Sequence, residues 1–175
     1  LTVFIVLFSS ILTAEYQKGT LINIVTKGMK RWKILIAKLL TMFVFWSAGY
    51  LVTFGITYGY NAYFWDNNIV LNLLFAVFGY YLTGLWLISV VLTASCVLRS
   101  SSGVILFTGA AFAVSYFLGL LPAFREYVPT FLFRSNDLLT GVIHSDECLA
   151  AIGITFFLTI LNGFLSVLFF DKKAI

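Results

Sequence analysis

Charged residues make up only 10% of this 175-residue sequence, against about 25% in a soluble domain. Hydrophobic residues make up 61%, and the mean hydropathy is +1.02. A water-soluble core cannot absorb so much apolar surface without exposing large patches, so a soluble globular domain is excluded and lipid is the natural solvent. Carboxylates are scarcer still, and none falls within the long apolar runs. That argues against an intramembrane protease and against a carrier driven by protons or sodium, which keeps ionisable groups at mid-membrane. The phosphate-binding loop G-x-x-x-x-G-K-S/T does not occur, so the chain has no ATP site of that kind. There is a single histidine, His144, and no CxxC, HExxH or Cys/His cluster, so no metal site is expected. The two cysteines, Cys96 and Cys148, are expected near opposite membrane faces as packing residues, too far apart for a disulfide. Nothing points to nucleic acid, because the positive charge follows membrane sidedness instead.

What is present is a series of apolar runs over 1–13, 34–60, 69–98, 103–121 and 148–170. The last four can each cross a hydrocarbon core about 30 Å thick, which takes roughly twenty residues of helix. Lipid offers no partner for a bare backbone amide, so these segments must be helices. The first run is short for a span, lacks a basic leader, and is expected to be the end of a helix that starts upstream. The fold class expected is an all-α polytopic transmembrane bundle, a single domain over 1–175 with about five helices visible.

Sidedness follows from the basic residues. Alternating the runs across a bilayer puts Lys18, Lys27, Lys30, Arg31, Lys33, Lys38, Arg99, Lys172 and Lys173 on one face. Only Arg125 and Arg134 fall on the other. The positive-inside rule makes the first face cytoplasmic, with the C-terminus inside. Tyr58, Tyr60, Tyr63, Phe64 and Trp65 then suit an aromatic belt at the outer boundary. The outer loop 122–147 contains Pro122, Pro129 and the triplet Phe131-Leu132-Phe133. One or two short helices on, or dipping into, the outer leaflet are predicted there, with Gly141 ending one of them. Gly55/Gly59 and the row Ala111, Ser115, Gly119 are candidate close-packing faces. Asn72 and Asn162 are expected to hydrogen-bond neighbouring helices.

The basic stretch AEYQKGTLINIVTKGMKRWKILIAKLL, residues 14–40, is the most distinctive feature. As a helix over 20–33 it carries Leu21, Val25, Met29 and Trp32 on one face, with Lys27, Lys30, Arg31 and Lys33 largely off it. That is an amphipathic helix lying in the membrane interface, Trp32 at headgroup depth. Gly19-Thr20 provides a bend and a helix cap. On residue chemistry alone this reads equally as a basic anchor on anionic lipid, worth about 1 kcal/mol per basic residue.

The spelling adds more. Glu15-x-x-x-Gly19-Thr20, followed by Arg31-x-x-Ile34-Leu35-x-Ala37-Lys38, resembles the permease subunits of ABC-2 type exporters. Gly28 departs from that pattern where many members carry proline. The resemblance implies six transmembrane helices per subunit, so the first and part of the second would lie upstream of this sequence. It also implies that residues 14–33 form a cytoplasmic coupling helix seated on a separate ATPase, with Glu15, Gly19, Thr20, Lys27, Arg31 and Lys38 carrying the coupling.

By the same resemblance the working unit holds two permeases, identical or not, and ATPase subunits that bind ATP and magnesium. The permease itself is not an enzyme, and its place is a bacterial plasma membrane. The function implied is export of an amphipathic substrate such as a drug or antimicrobial peptide. The alternative left open by the residues is a non-transporting membrane immunity or sensor protein.

Overall fold

The computed structural model describes residues 2–17, 31–64, 72–141 and 145–172. Among these there is no strand. Long helices carry the architecture: α1 (Thr2–Gln17), α2 (Arg31–Phe64), α3 (Leu73–Val97), α4 (Ser101–Leu118) and, after a compact outer segment, α6 (Ser145–Lys172). Four windows are long and apolar enough to cross a membrane, Trp32–Phe64, Leu73–Val97, Ser101–Leu118 and Glu147–Phe170. The shorter apolar helix Thr2–Glu15 accompanies them. The molecule is an all-α polytopic helix bundle, as its composition requires.

α2 and α3 run antiparallel, whereas α3 and α6 run parallel. Trp46 and Ser47 on α2 meet Tyr81 on α3, while Tyr50 meets Val77. Cys96, at the end of α3, shares a core with Phe170 of α6, and Ala76, near the start of α3, shares one with Cys148 and Ala151. The two cysteines thus form no disulfide and are buried at opposite ends of the α3–α6 pair. α3 is the axle of the fold, buried almost continuously from Leu82 to Cys96.

Hydroxyls make so apolar a bundle tolerable. Thr83, Thr93, Ser95, Thr108 and Thr155 each donate to a carbonyl four residues back in their own helix, which satisfies these hydroxyls in an apolar interior. Others pin helices together: Tyr50 donates to the Val77 carbonyl at 2.6 Å, and Thr93 to the Asn162 carbonyl at 3.0 Å. Asn162 therefore does join a neighbouring helix, but through its backbone oxygen. Asn72 differs from expectation. It is the exposed N-cap of α3, in the left-handed region at φ 52°, a conformation asparagine tolerates better than most residues.

Glycine has a packing role where a tryptophan needs room. A Cβ on Gly84 of α3 would stand 2.0 Å from the indole of Trp46, and one on Gly49 would stand 2.7 Å from Phe4. The predicted Gly55/Gly59 face instead meets nothing within 4 Å, on a stretch of α2 that is exposed. Gly-x-x-x-Gly spacing marks a permitted approach and cannot say whether a neighbour takes it.

The outer segment is more deeply set than the sequence suggests. It holds two 3-10 turns, Arg125–Tyr127 and Pro129–Phe133, and the short helix α5 (Ser135–Leu139). Phe131 and Leu132 are almost fully buried, packed with Ala76, Leu82 and Ala151 of α3 and α6. The Phe-Leu-Phe triplet thus dips into the bundle. Ser115 Oγ lies 3.1 Å from Thr130 Oγ1, and a Cβ on Gly119 would sit 3.1 Å from Val128. The small-residue row on α4 is what seats this segment. Gly141 follows α5 at φ 75°, its amide donating to the Leu138 carbonyl at 3.3 Å, so it ends α5 as predicted.

Candidate functional site at the basic end of the bundle

The end of α1, the start of α2, the α3–α4 turn and the end of α6 meet at one end of the bundle. Apolar packing fixes them there. Leu12, Leu35, Met42, Phe170 and Cys96 form one buried cluster. Above it, Thr13 Oγ1 lies 2.7 Å from Ser101 Oγ, the first residue of α4, and also donates to the Ser9 carbonyl at 2.8 Å. Ser100 caps α4 by accepting from the Gly103 amide at 3.1 Å, because its side-chain oxygen satisfies an amide that the helix start leaves open.

On this platform Lys38 donates to the Glu15 carboxylate, an ion pair joining α1 to α2 across 23 positions of sequence. Both side chains are 24% exposed, so the pair is partly shielded from water. A charge-assisted contact of this kind is stronger than a neutral one. Lys33 and Trp32 are exposed nearby on α2, with the ammonium 5.9 Å from the indole centroid. Arg99, in the α3–α4 turn, is exposed as well.

Of the six residues singled out from the sequence, Glu15 and Lys38 are brought into direct contact. Arg31 is the first residue of α2. Gly19, Thr20 and Lys27 lie outside the described residues, as does most of the predicted 14–33 helix. The structure adds Thr13 and Ser101, whose pairing joins α1 to α4. No sequence signal marks this pair, since two hydroxyls far apart in the chain carry no spacing of their own. Among the described residues there is no group of three or more His, Cys, Asp or Glu side chains able to hold a metal ion.

An all-α bundle with four helices long and apolar enough to cross a membrane, tied at its basic end by an ion pair, is a multi-pass membrane protein. The comparisons name the kind. Residues 1–119, more than half of the chain, match the sequence profile of the ABC-2 family transporter proteins. The chain belongs to that family and is a membrane-spanning permease component of an ABC transporter. No curated protein and no solved structure matches it.

Proposed function

We propose that this permease takes force from a separately encoded ATPase at its basic end and uses it to export an amphipathic substrate across a bacterial plasma membrane. The observation that carries the reading is the Glu15–Lys38 ion pair. The two residues bracket the family-like motif, and their contact closes α1 and α2 into one rigid frame around the basic segment. A force applied to residues 18–30 then moves both helices together instead of bending one of them.

In this mechanism two permeases and two ATPases form the working unit. The ATPases hold ATP and magnesium and close on each other. Residues 14–33 take up that movement through Gly19, Thr20, Lys27 and Arg31. The basic residues pair with acidic groups on the ATPase and anchor on the inner leaflet. Glu15 and Lys38 pass the displacement into the bundle, with the Thr13–Ser101 contact carrying it on to α4. The basic end and the C-terminus are cytoplasmic. The abundance of exposed aromatics and the scarcity of charge favour an amphipathic cargo over a hydrophilic one.

The test is to purify the permease with its co-expressed ATPase, reconstitute it, and follow ATP hydrolysis and substrate movement together. Arg31→Glu is expected to leave ATP hydrolysis running while transport stops. Transport unchanged in that variant would overturn the coupling role. A permease that binds no ATPase and moves nothing would favour the immunity or sensor reading.

A further inference from the structure

The end of the bundle opposite the basic one holds a cleft of about 610 Å³, between α4 and the outer 3-10 turns. Its volume lies within the usual range for small-molecule sites, about 300–1,000 Å³. Two narrower grooves beside α2, of about 230 and 250 Å³, are lined by aromatic, threonine and other uncharged residues. The outer cleft is lined differently. Phe112, Tyr116, Phe131 and Phe133 form aromatic walls, and Arg125 and Arg134 supply two guanidinium groups. None of the residues beyond Gly119 lies in the stretch matched by the family.

Arg125 is the central group. Its guanidinium carbon stands 5.6 Å from the centroid of the Phe131 ring, so the ring holds the cation by its face. Its Nε is buried with no hydrogen-bond partner among the described residues. A buried donor left unmet is unfavourable, and guanidinium N–H groups match phosphate oxygens in pairs. The other titratable groups around the cleft are Glu126, Tyr116 and Arg134. Glu126 is exposed and forms no ion pair with Arg125 within 4.0 Å. Arg134 is bound through Nε to Asp137 at 3.0 Å and is about half exposed, so it already has a carboxylate partner, whereas Arg125 has no ion-pair partner among the described residues.

The geometry points to a binding site for the phosphodiester headgroup of an anionic phospholipid, held by Arg125. Its acyl chain lies against Phe112 and the half-exposed Tyr116 of α4. The occupant is a lipid rather than a free anion because four aromatic rings line the cleft that holds the cation. A small hydrated ion gains nothing from those walls, whereas a lipid tail gains about 25 cal/mol for each Å² it buries there. The site does not depend on the coupling reading above.

Native mass spectrometry of the detergent-purified full chain provides the test, titrated separately with phosphatidylglycerol, phosphatidylcholine and inorganic phosphate. Phosphatidylglycerol is expected to bind at least tenfold more tightly than phosphatidylcholine. Arg125→Gln is expected to remove one tightly held phosphatidylglycerol, leaving looser binding at the basic end, and Arg125→Lys to keep part of that tight binding. Arg99→Gln, at the far end of the bundle, leaves it unchanged. Phe112→Trp, which narrows the cleft without touching the guanidinium, lowers phosphatidylglycerol retention in a chain whose circular dichroism matches wild type. Equal binding of the two lipids, or an Arg125→Gln protein that holds as many tightly bound phosphatidylglycerol molecules as wild type, would overturn the site. So would inorganic phosphate competing as well as phosphatidylglycerol, since a free-anion site would then account for the binding.

Discussion

Lys38, in the second turn of α2, donates a hydrogen bond to Glu15, near the end of α1. The two residues stand where the chain leaves the bundle for its most basic stretch and where it returns. Breaking the contact removes a close partner from a partly buried charge, which costs more than the contact itself contributes. Lys38→Ala and Glu15→Gln are each expected to lower substrate export at least tenfold while ATP hydrolysis by the assembled complex persists. The exchange of both charges, Glu15→Lys with Lys38→Glu, is expected to recover part of the export. Parallel flux and phosphate-release assays on reconstituted vesicles read both quantities, and an exchange variant no better than either single change would refute the pairing.

Trp46 occupies the space that a side chain on Gly84 would fill. The indole is nearly fully buried and donates to the Tyr81 carbonyl at 3.3 Å, so it has little room to retreat. Gly84→Ala is expected to destabilise the bundle by about 1–3 kcal/mol, the usual cost of overfilling a packed core. The second change Trp46→Leu is expected to restore part of the loss. Thermal unfolding in detergent measures both. A Gly84→Ala protein as stable as wild type would show that α2 and α3 are less closely packed than described here.

Gly55 and Gly59 predict the reverse. Among the described residues nothing lies within 4 Å of a Cβ at either, so replacing either with alanine removes helix-weakening glycine at no steric cost. A gain of about 0.5–1 kcal/mol is expected. A loss measured only in the assembled transporter, and not in the isolated permease, would place a second subunit against this face.

Ser115 and Thr130 are both buried and face each other at 3.1 Å. The Thr130 amide also approaches Ser115 Oγ at 3.4 Å. Thr130→Val strands the serine, and Ser115→Ala strands the threonine, at about 1–3 kcal/mol each. The double variant is expected to cost less than the sum of the two. Chemical unfolding of the four proteins gives the coupling energy, and strict additivity would mean that the two hydroxyls do not interact.

Much of the architecture was legible from composition. Long apolar runs without carboxylates can only be membrane-spanning helices, and Gly141 ends α5 because its spacing and conformational freedom suit a helix terminus. The exchange between Glu15 and Lys38 was half legible. The motif marked both positions and a basic partner for Glu15 across the bend was foreseeable, but the partner's identity depends on how α1 and α2 pack. The depth of Phe131 and Leu132 was not legible at all. An apolar triplet just after a proline reads the same whether it meets lipid or the space left between α3, α4 and α6. Gly84 escaped notice for a related reason: a glycine inside an apolar helix reveals its purpose only once Trp46 stands opposite it.

The central claim is that the basic end of the bundle faces the cytoplasm, where an ATPase can reach it. Lys33 is exposed there, whereas Cys96 and Cys148 are buried, so a single Lys33→Cys variant gives a clean accessibility reporter. With a membrane-impermeant thiol reagent, the account predicts rapid modification in inside-out vesicles and none in sealed, right-side-out cells. Modification from the outside of intact cells would reverse the orientation and contradict the coupling mechanism with it.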